Sequence, residues 1–538
     1  MSYSKQNIIQ INKLNNIFNF YSITSILYLI FFLFKRLYIT EFDTLYLYLA
    51  SLKPLINQKI YTDYTFNYGP HIIFIFELLN VFKINTFNFL LVLGFLQSIF
   101  AGYLSILFCN KIIKSNLTKK LIFLVTIFSF SNEFDFFFWD CYVLLLGIYS
   151  LYLIFFKKNN IVGTLFLSIT WFLKQTFGLT FFLIFIILSL LNFYNSKKKF
   201  FLFNIIFYLL FILINLLVIF FFYDFNIFYD EVFSFTFRFA EQYGKVNILN
   251  YLFGIIFLFP DINNIDQLSF IFTREKFSYI QIIFYLVFRL PVFLLYFLFF
   301  FKIKDFFKDY YQAFLIISLS CILPLPLLGR GYWGTVYFFP AITIIFFKYM
   351  HDKKIFLNII CIRHFLIIYL YIFTIFLILF LYFFRNVDYN LNRSANVINS
   401  KNNFLLNINK NIIQKNSFDD LRGMYEFLEM NKINNIFIFD YKCAPIMALL
   451  AQPPVNRNYM GISPQDKFFN WDSKLWSKNE TNRERFINDF NVKSAKYILY
   501  NIYDYSVIKK DLPKDLLNKY SVKYSNDNFV LLKKLSNN

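Results

Sequence analysis

The chain has 538 residues, of which 58% are hydrophobic and only 16% charged, with 82 Phe and 40 Tyr. A soluble domain carries nearer a quarter charged residues and few long apolar runs, so this composition excludes an ordinary soluble enzyme and predicts a multi-spanning integral membrane protein. The net charge of +21 does not imply a nucleic-acid partner, because the lysines lie mainly in short loops between apolar runs rather than on a basic stripe of their own. Phe, Ile, Asn, Lys and Tyr are frequent even in the polar parts of the chain, so the aromatic count by itself discriminates little. Of the five cysteines, only Cys443 lies in the polar C-terminal region. Their spacing implies neither a disulfide framework nor a metal site.

In chain order, the N-terminus is polar to Phe20 and then apolar to Ile39 with no small-residue cleavage site. It is therefore expected as an uncleaved first span rather than a signal peptide. Eleven spans are predicted, at 21–39, 87–109, 120–131, 140–156, 161–173, 176–194, 200–223, 279–301, 312–328, 333–348 and 364–384. The rule behind them is that ~20 apolar residues cross a bilayer as a helix. Residues 71–83, HIIFIFELLNVFK, are too short to span. With Glu77 among them, they are expected to lie in the membrane interface.

Loop charges orient the chain. With a cytoplasmic N-terminus, alternate loops collect Lys111, Lys114, Lys119, Lys120, Lys157, Lys158, Lys197, Lys198 and Lys199, and later Lys302, Lys304, Lys308, Lys348, Lys353, Lys354 and Arg363. The opposite loops collect Glu41, Asp43, Asp63, Glu133, Asp135, Asp140, Asp224, Asp230, Glu231 and Glu241. By the positive-inside rule the basic loops are cytoplasmic. The expected placement is thus an inner (cytoplasmic) membrane, with the C-terminus outside the cytoplasm. Lys35 and Arg36 break the pattern near the outer end of the first span.

From Arg385 the composition changes to Asn- and Lys-rich sequence with short apolar alternations. Ser417 precedes FDDLRGMYEFLEMN, which has helical spacing and acids in its first turn. NNIFIFDY and KYILYNIY read as strands, and YSVKYSNDNFVLLKK as a hairpin around Asn526-Asp527. The domains expected are residues 1–384, with outward loops 40–86 and 224–278, followed by an extracytoplasmic α/β domain over 385–538.

Polar residues that apolar packing does not explain fall in the outward loops. Glu41 and Asp43 follow the first span directly, where a carboxylate can take a proton from an acceptor hydroxyl. SNEFDFFFWDCY brings Glu133, Asp135 and Asp140; an interfacial Trp139-Asp140 anchor is an equal reading of the last. WFLKQTFG places Lys174 and Gln175 between two apolar runs, a costly position for an ammonium unless it has a partner or lines a polar cavity. LPLPLLGRGYWGTVYFFP sets Arg330 between glycines, and a guanidinium suits bidentate phosphate binding. Tyr68 and His71 flank Gly69-Pro70. Arg289, inside an apolar run beside Pro291, is expected to face a cavity or a carboxylate.

The stretch EFDTLYLYLASLKPLINQKIYTDYTFNYGPH resembles the first outward loop of GT-C-type membrane glycosyltransferases, which include the protein mannosyltransferase-like and lipid A aminoarabinose transferase-like enzymes. The resemblance rests on an acid after the first span, an aromatic Ala-containing helix, Tyr61-Thr62-Asp63 and Tyr68-Gly69-Pro70. It extends to Lys174-Gln175 with a following Gly, and to Arg330 followed by aromatics. Two departures are visible: Thr44 stands where a small residue usually follows the acid, which leaves Glu41 and Asp43 both open as the base, and the late loop lacks the family's frequent His. PPVNRNYMGISPQDKF and ERFINDFNVKSAKYILY are similar to the outward domain of some bacterial members.

The resemblance implies a polytopic α-helical membrane protein of about 11 transmembrane helices. It implies inverting transfer of a sugar from a polyprenyl-phosphate donor to a lipid, protein or glycan acceptor. Asp43 or Glu41 would act as base. Lys174, Gln175 and Arg330 would hold the phosphate, and Asp140, with Asp135, Glu133, Tyr68 and His71, would line the substrate cavity. No cofactor is obligatory in that chemistry, although a carboxylate pair can recruit a divalent cation. Partners would be the lipid-linked donor, membrane lipids and an acceptor the sequence does not name. A surface-polysaccharide polymerase or ligase, a lipid-linked-sugar flippase and a non-catalytic interaction protein are the competing readings.

Overall fold

The computed structural model describes residues 20–30, most of 38–112, 115–131, 139–194 and most of 198–238. In the C-terminal third it describes 397–399, 405–407, most of 417–456, most of 480–502 and 518–535, together with a few isolated positions. In chain order the elements begin with α1 (Phe20–Ile30), β1 (Tyr38–Ile39), α2 (Phe42–Leu52), a 3-10 turn (Lys53–Ile56), α3 (His71–Val81) and α4 (Thr86–Ile112). There follow α5 (Asn116–Ser131), α6 (Trp139–Phe155), α7 (Asn160–Leu173), α8 (Gln175–Tyr194), α9 (Lys198–Phe222), α10 (Phe225–Phe228) and a π turn (Tyr229–Ser234). The C-terminal part adds β2 (Val397–Asn399), β3 (Leu405–Asn407), α11 (Ser417–Met430), β4 (Ile436–Ile438), α12 (Ala444–Leu449), α13 (Asn482–Lys493), β5 (Tyr497–Asn501), β6 (Tyr520–Ser525) and β7 (Phe529–Lys534).

The chain divides into two compact units. The first comprises Met1–Arg36, Val92–Ile212 and Lys245–Asp388; the second comprises Leu37–Leu91, Leu213–Gly244 and Tyr389–Asn538.

The first unit is a stack of apolar helices locked by rings and by glycines. Tyr28 of α1 stacks on Phe95 of α4, Phe108 of α4 meets Tyr152 of α6, and Phe155 of α6 meets Phe185 of α8. Gly163 lets α7 approach α6 so closely that a Cβ there would lie 3.1 Å from the Ser150 carbonyl oxygen and 2.5 Å from Ile154. At Gly178 a Cβ would lie 2.7 Å from the Cα of Trp171. Small residues at helix crossings are how apolar helices approach when dispersion, rather than water exclusion, drives their association.

The expected eleven spans are corrected by these helices. Among the described residues two, Val92–Asn110 and Leu202–Phe222, are long and apolar enough to cross a membrane. The predicted spans at 140–156 and 161–173 form helices of 17 and 14 residues. At ~1.5 Å per residue the second, bounded by its Asn159 cap and by Lys174, reaches about 21 Å, short of a hydrocarbon core of ~30 Å. In the first predicted span the described helix is Phe20–Ile30. A run of apolar residues reads the same whether its neighbours are lipid or other helices, and α7 buries Thr164, Leu167, Ser168, Thr170 and Phe172 inside the protein. The segments 279–301, 312–328, 333–348 and 364–384 lie outside the described residues. Two candidate spans support membrane association.

The second unit is composite. Its main sheet has the order β4-β5-β7-β6, with β4 parallel to β5 and the other pairs antiparallel. Phe437, Phe439, Phe486, Phe490, Ile498, Tyr500, Val530 and Leu532 form one core between this sheet and α13. The helix is started by a reciprocal cap: the Glu484 carboxylate accepts from the Thr481 amide at 2.8 Å, and the Glu484 amide donates to the Thr481 hydroxyl at 3.2 Å. This is the capping box that S/T-x-x-E sequences encode. The β6–β7 hairpin turns at Asn526, whose Oδ1 accepts from the Phe529 amide at 2.8 Å.

Residues from far upstream complete this unit. Tyr38 and Ile39 pair in parallel with Leu405 and Leu406. Lys53 is fully buried, and its Nζ donates to the carbonyls of Pro454 (2.5 Å) and Asn456 (2.7 Å). The same segment is fastened to β4, because the Val455 amide donates to Ile436 O and the Asn456 side chain bonds both the amide and the carbonyl of Ile438. Buried Glu231 of the π turn pairs with Arg485 of α13. Removing a buried donor leaves its acceptors dry, at ~1–3 kcal/mol each. Lys53→Met is therefore expected to destabilise the second unit by about 2–4 kcal/mol, read as a lower unfolding temperature and faster proteolysis of the C-terminal sheet in detergent-solubilised protein. Lys533→Met, on the exposed end of β7, serves as the near-neutral control.

Candidate functional site

Asp43 is the second residue of α2, in its first turn. A carboxylate there is favoured by the unpaired amides and positive dipole end of the helix. The other end of α2 is anchored: Leu47, Tyr48, Leu49, Ala50, Ser51 and Leu52 are all buried and lead directly into Lys53. Burial pushes the Tyr48 hydroxyl up to about 12, so it stays protonated at any physiological pH. Glu41 lies outside the described residues.

Downstream, Tyr61 holds a left-handed backbone at φ 65° while wholly buried. For an aromatic L-residue that conformation costs ~1–2 kcal/mol, which the surrounding packing has to offset. Its amide donates to Tyr64 O at 2.9 Å, and its ring meets Tyr223 and Phe228 edge-on. Asp63 of the same motif closes the turn, its carboxylate accepting from the Lys59 amide at 2.8 Å. That observed bond is a local structural role. Gly69 and Pro70 deliver the chain to α3, whose first residue is His71. The His71 Nε2 lies 2.8 Å from Oδ1 of Asn215 in α9. Burial lowers the His71 pKa, with the Asn215 bond opposing in part. Tyr68 lies outside the described residues.

In the first unit the break between α7 and α8 is a single residue. Lys174 is extended (φ −155°, ψ 116°), and its amide still donates to Thr170 O as α7 ends. Its carbonyl accepts from the Gly178 amide as α8 begins, and its Nζ lies 5.9 Å from the Phe177 ring centroid. Next to it Gln175 and Thr176 are 6% and 8% exposed. The Gln175 Nε2 and the Thr176 hydroxyl find no hydrogen-bond partner among the described residues. A cation, two buried donors and the start of a 20-residue helix together make a setting suited to an anion. Trp171, one turn before the break, donates from Nε1 to the Tyr208 hydroxyl of α9.

Asp140 is the second residue of α6; Glu133, Asp135, Arg289 and Arg330 lie outside the described residues. The sequence-predicted residues thus fall in both units: Asp43 and His71 in the second, Lys174, Gln175 and Asp140 in the first. Among the described residues no three or more of His, Cys, Asp and Glu are grouped to hold a metal. Sequence reasoning passed over Lys53, Asn215 and Glu231. Lys53 looks like a solvated loop lysine beside Pro54, and only the tertiary fold reveals its acceptors. Asn215 carried a weak signal as an amide inside an apolar run.

No family model, curated protein or solved structure matches the chain.

The lowered His71 pKa has a stability consequence with a definite sign. Below the ordinary His pKa of ~6.5 the unfolded chain binds a proton that the folded protein does not, so the folded state loses stability as pH falls from there towards the folded-state value. Thermal unfolding of the purified protein between about pH 8 and pH 5 is expected to show this slope, reduced in His71→Gln, which keeps a hydrogen-bonding side chain but does not titrate.

Proposed function

We propose that the protein is a membrane glycosyltransferase that takes a sugar from a polyprenyl-phosphate donor and passes it to a lipid, protein or glycan acceptor at the extracytoplasmic face of the inner membrane. The observation that carries this reading is the make-up of the second unit. Its three segments, Leu37–Leu91, Leu213–Gly244 and Tyr389–Asn538, take in the first outward loop, the start of the second and the C-terminal domain, all of which loop charge assigns to the outer side. The two candidate spans agree with that sidedness. α4 leads from the acidic first loop to Lys111, and α9 leads from Lys198 and Lys199 to Asp224, Asp230 and Glu231. In this reading the N-terminus is cytoplasmic and the α/β sheet lies outside.

In this reading Asp43, held on a helix whose far end is fixed by Lys53, removes the proton of the acceptor hydroxyl, with Glu41 as its alternate. Lys174, Gln175 and Arg330 hold the phosphate and stabilise the charge that develops on it as the glycosidic bond breaks. Asp140 orients the acceptor, with Glu133, Asp135, Tyr68 and His71 lining the cavity; a carboxylate pair among these acids would be the place for a divalent cation. The unpartnered donors at Gln175 and Thr176 support an anion at that helix start.

General-base catalysis contributes ~10²–10⁴-fold. Asp43→Asn is accordingly expected to cut transfer of labelled sugar from lipid-linked donor in membranes by about a hundredfold or more, with expression and insertion unchanged. Lys174→Met is expected to weaken donor use. Full activity in both Asp43→Asn and Glu41→Gln would overturn the assignment of the base. Comparing glycolipids, glycans and glycoproteins by mass with and without the gene tests the wider reading: accumulation of donor on the cytoplasmic leaflet marks a flippase, and loss of long chains marks a polymerase or ligase.

A further inference from the structure

We infer that the described residues between Tyr61 and Phe82 belong to a re-entrant segment that dips into the outer leaflet beside α9, with the Gly69-Pro70-His71 turn at its deepest point and the outer stripe of α3 against lipid acyl chains. The inference rests on reading α9 as a membrane span. It goes beyond that reading, because the apolar sequence of α3 by itself suggests only a helix lying flat in the interface.

Three contacts set the levels. The Tyr61 ring lies against Tyr223, just past the end of α9, with centroids 5.9 Å apart. Ten residues later His71 bonds Asn215 at 2.8 Å. Asn215 precedes Phe222, the last residue of α9, by seven positions, about 10 Å at ~1.5 Å per residue. The helix that follows, α3, packs back against α2 and the Lys53–Ile56 turn. The chain thus goes down along the outer part of α9 and comes back. α3 has 11 residues, about 16 Å, or roughly half of a ~30 Å hydrocarbon core.

The side chains fit that path. Non-helical backbone at membrane depth is tolerated only where protein covers it, and on the descending limb Tyr61, Tyr64 and Phe66 are all fully buried. α3 is apolar on both faces. Ile72, Ile73, Phe76 and Leu79 are buried, while Phe74, Leu78, Val81 and Phe82 are 54%, 42%, 75% and 70% exposed. The outer part of α9 shows the same exposed character at Leu213, Ile214, Leu217, Val218 and Phe220–Phe222. The two faces start from one level at His71 and Asn215, so the occupant that fits α9, hydrocarbon, fits α3 as well. Lys83, exposed just past the helix, marks the level at which the chain returns to the phosphate head groups. Asn215, 8% exposed, gains from His71 the polar partner that an amide in a span requires.

The test uses the full chain in phosphatidylcholine vesicles carrying bromine at the 6,7, 9,10 or 11,12 acyl positions, and reads the tryptophan emission added over the parent's five tryptophans. Phe74→Trp is expected to lose at least half of its added emission, most strongly with the deeper bromines. Phe82→Trp should respond to the 6,7 lipid alone, and inward-facing Phe76→Trp to none. Ile206→Trp, on the exposed face of α9, is the control for the span. Two outcomes with Ile206→Trp quenched overturn the inference and leave the membrane reading standing: Phe74→Trp and Phe82→Trp quenched alike by the shallow lipid only, which means a flat interfacial helix, or neither quenched, which means protein covers the face. An unquenched Ile206→Trp overturns the membrane reading itself, and this inference with it. Leu78→Trp on the same stripe replaces Phe74→Trp should that variant not fold.

Discussion

An ammonium taken wholly out of water has to be given acceptors, and Lys53 finds them in two carbonyls some four hundred residues away. That constraint organises the second unit. Those carbonyls belong to a strand-like segment already bonded to β4, so the lysine reaches into the edge of a finished sheet. The Glu231–Arg485 pair ties a second upstream segment to the helix packed on that sheet, and β1 pairs with β3 in a separate three-stranded sheet. A buried ion pair is not by itself a source of stability, since desolvation offsets much of the attraction. What the two charged contacts supply here is register: each is satisfied in one arrangement of distant segments and leaves a dry charge in any other.

This architecture gives the functional proposal its shape. A base that removes a proton from an acceptor has to sit within a few tenths of an ångström of its working position. α2 carries Asp43 at one end and is held at the other by a buried contact. The donor side of the proposed reaction is drawn from different elements, the junction of α7 and α8, where one extended residue puts a lysine beside two buried hydrogen-bond donors. That junction combines a helix start with polar groups in apolar surroundings, the setting in which a small number of dipoles has a large effect on a developing charge.

The sequence was informative where its signals are local. The start of α11 at Ser417, the strands at Ile436–Ile438 and Tyr497–Asn501 and the turn at Asn526 follow from capping, β-propensity and turn chemistry within a few residues. The number of spans was not legible. In a chain rich in Phe and Ile throughout, α7 and Leu202–Phe222 look alike as strings, yet one is buried among helices and the other turns most of its surface outward. Of the site, Asp43, His71, Lys174 and Gln175 stood out as polar residues in costly positions. Their partners did not: nothing near Lys53 points to Asn456, and nothing near His71 points to Asn215. Asp63 shows the converse, a motif carboxylate whose observed bond closes a turn.

The order in which the second unit's parts are synthesised has a consequence of its own. Lys53 leaves the ribosome 401 residues before Pro454, and at ~5–20 residues per second that interval lasts roughly 20–80 s. Throughout it the first loop has no sheet to close against. Its lysine stays hydrated and the apolar side of α2 stays uncovered. The protein therefore matures from its tail backwards, and a nascent chain halted before its last hundred residues would expose an unfinished loop to chaperones and proteases.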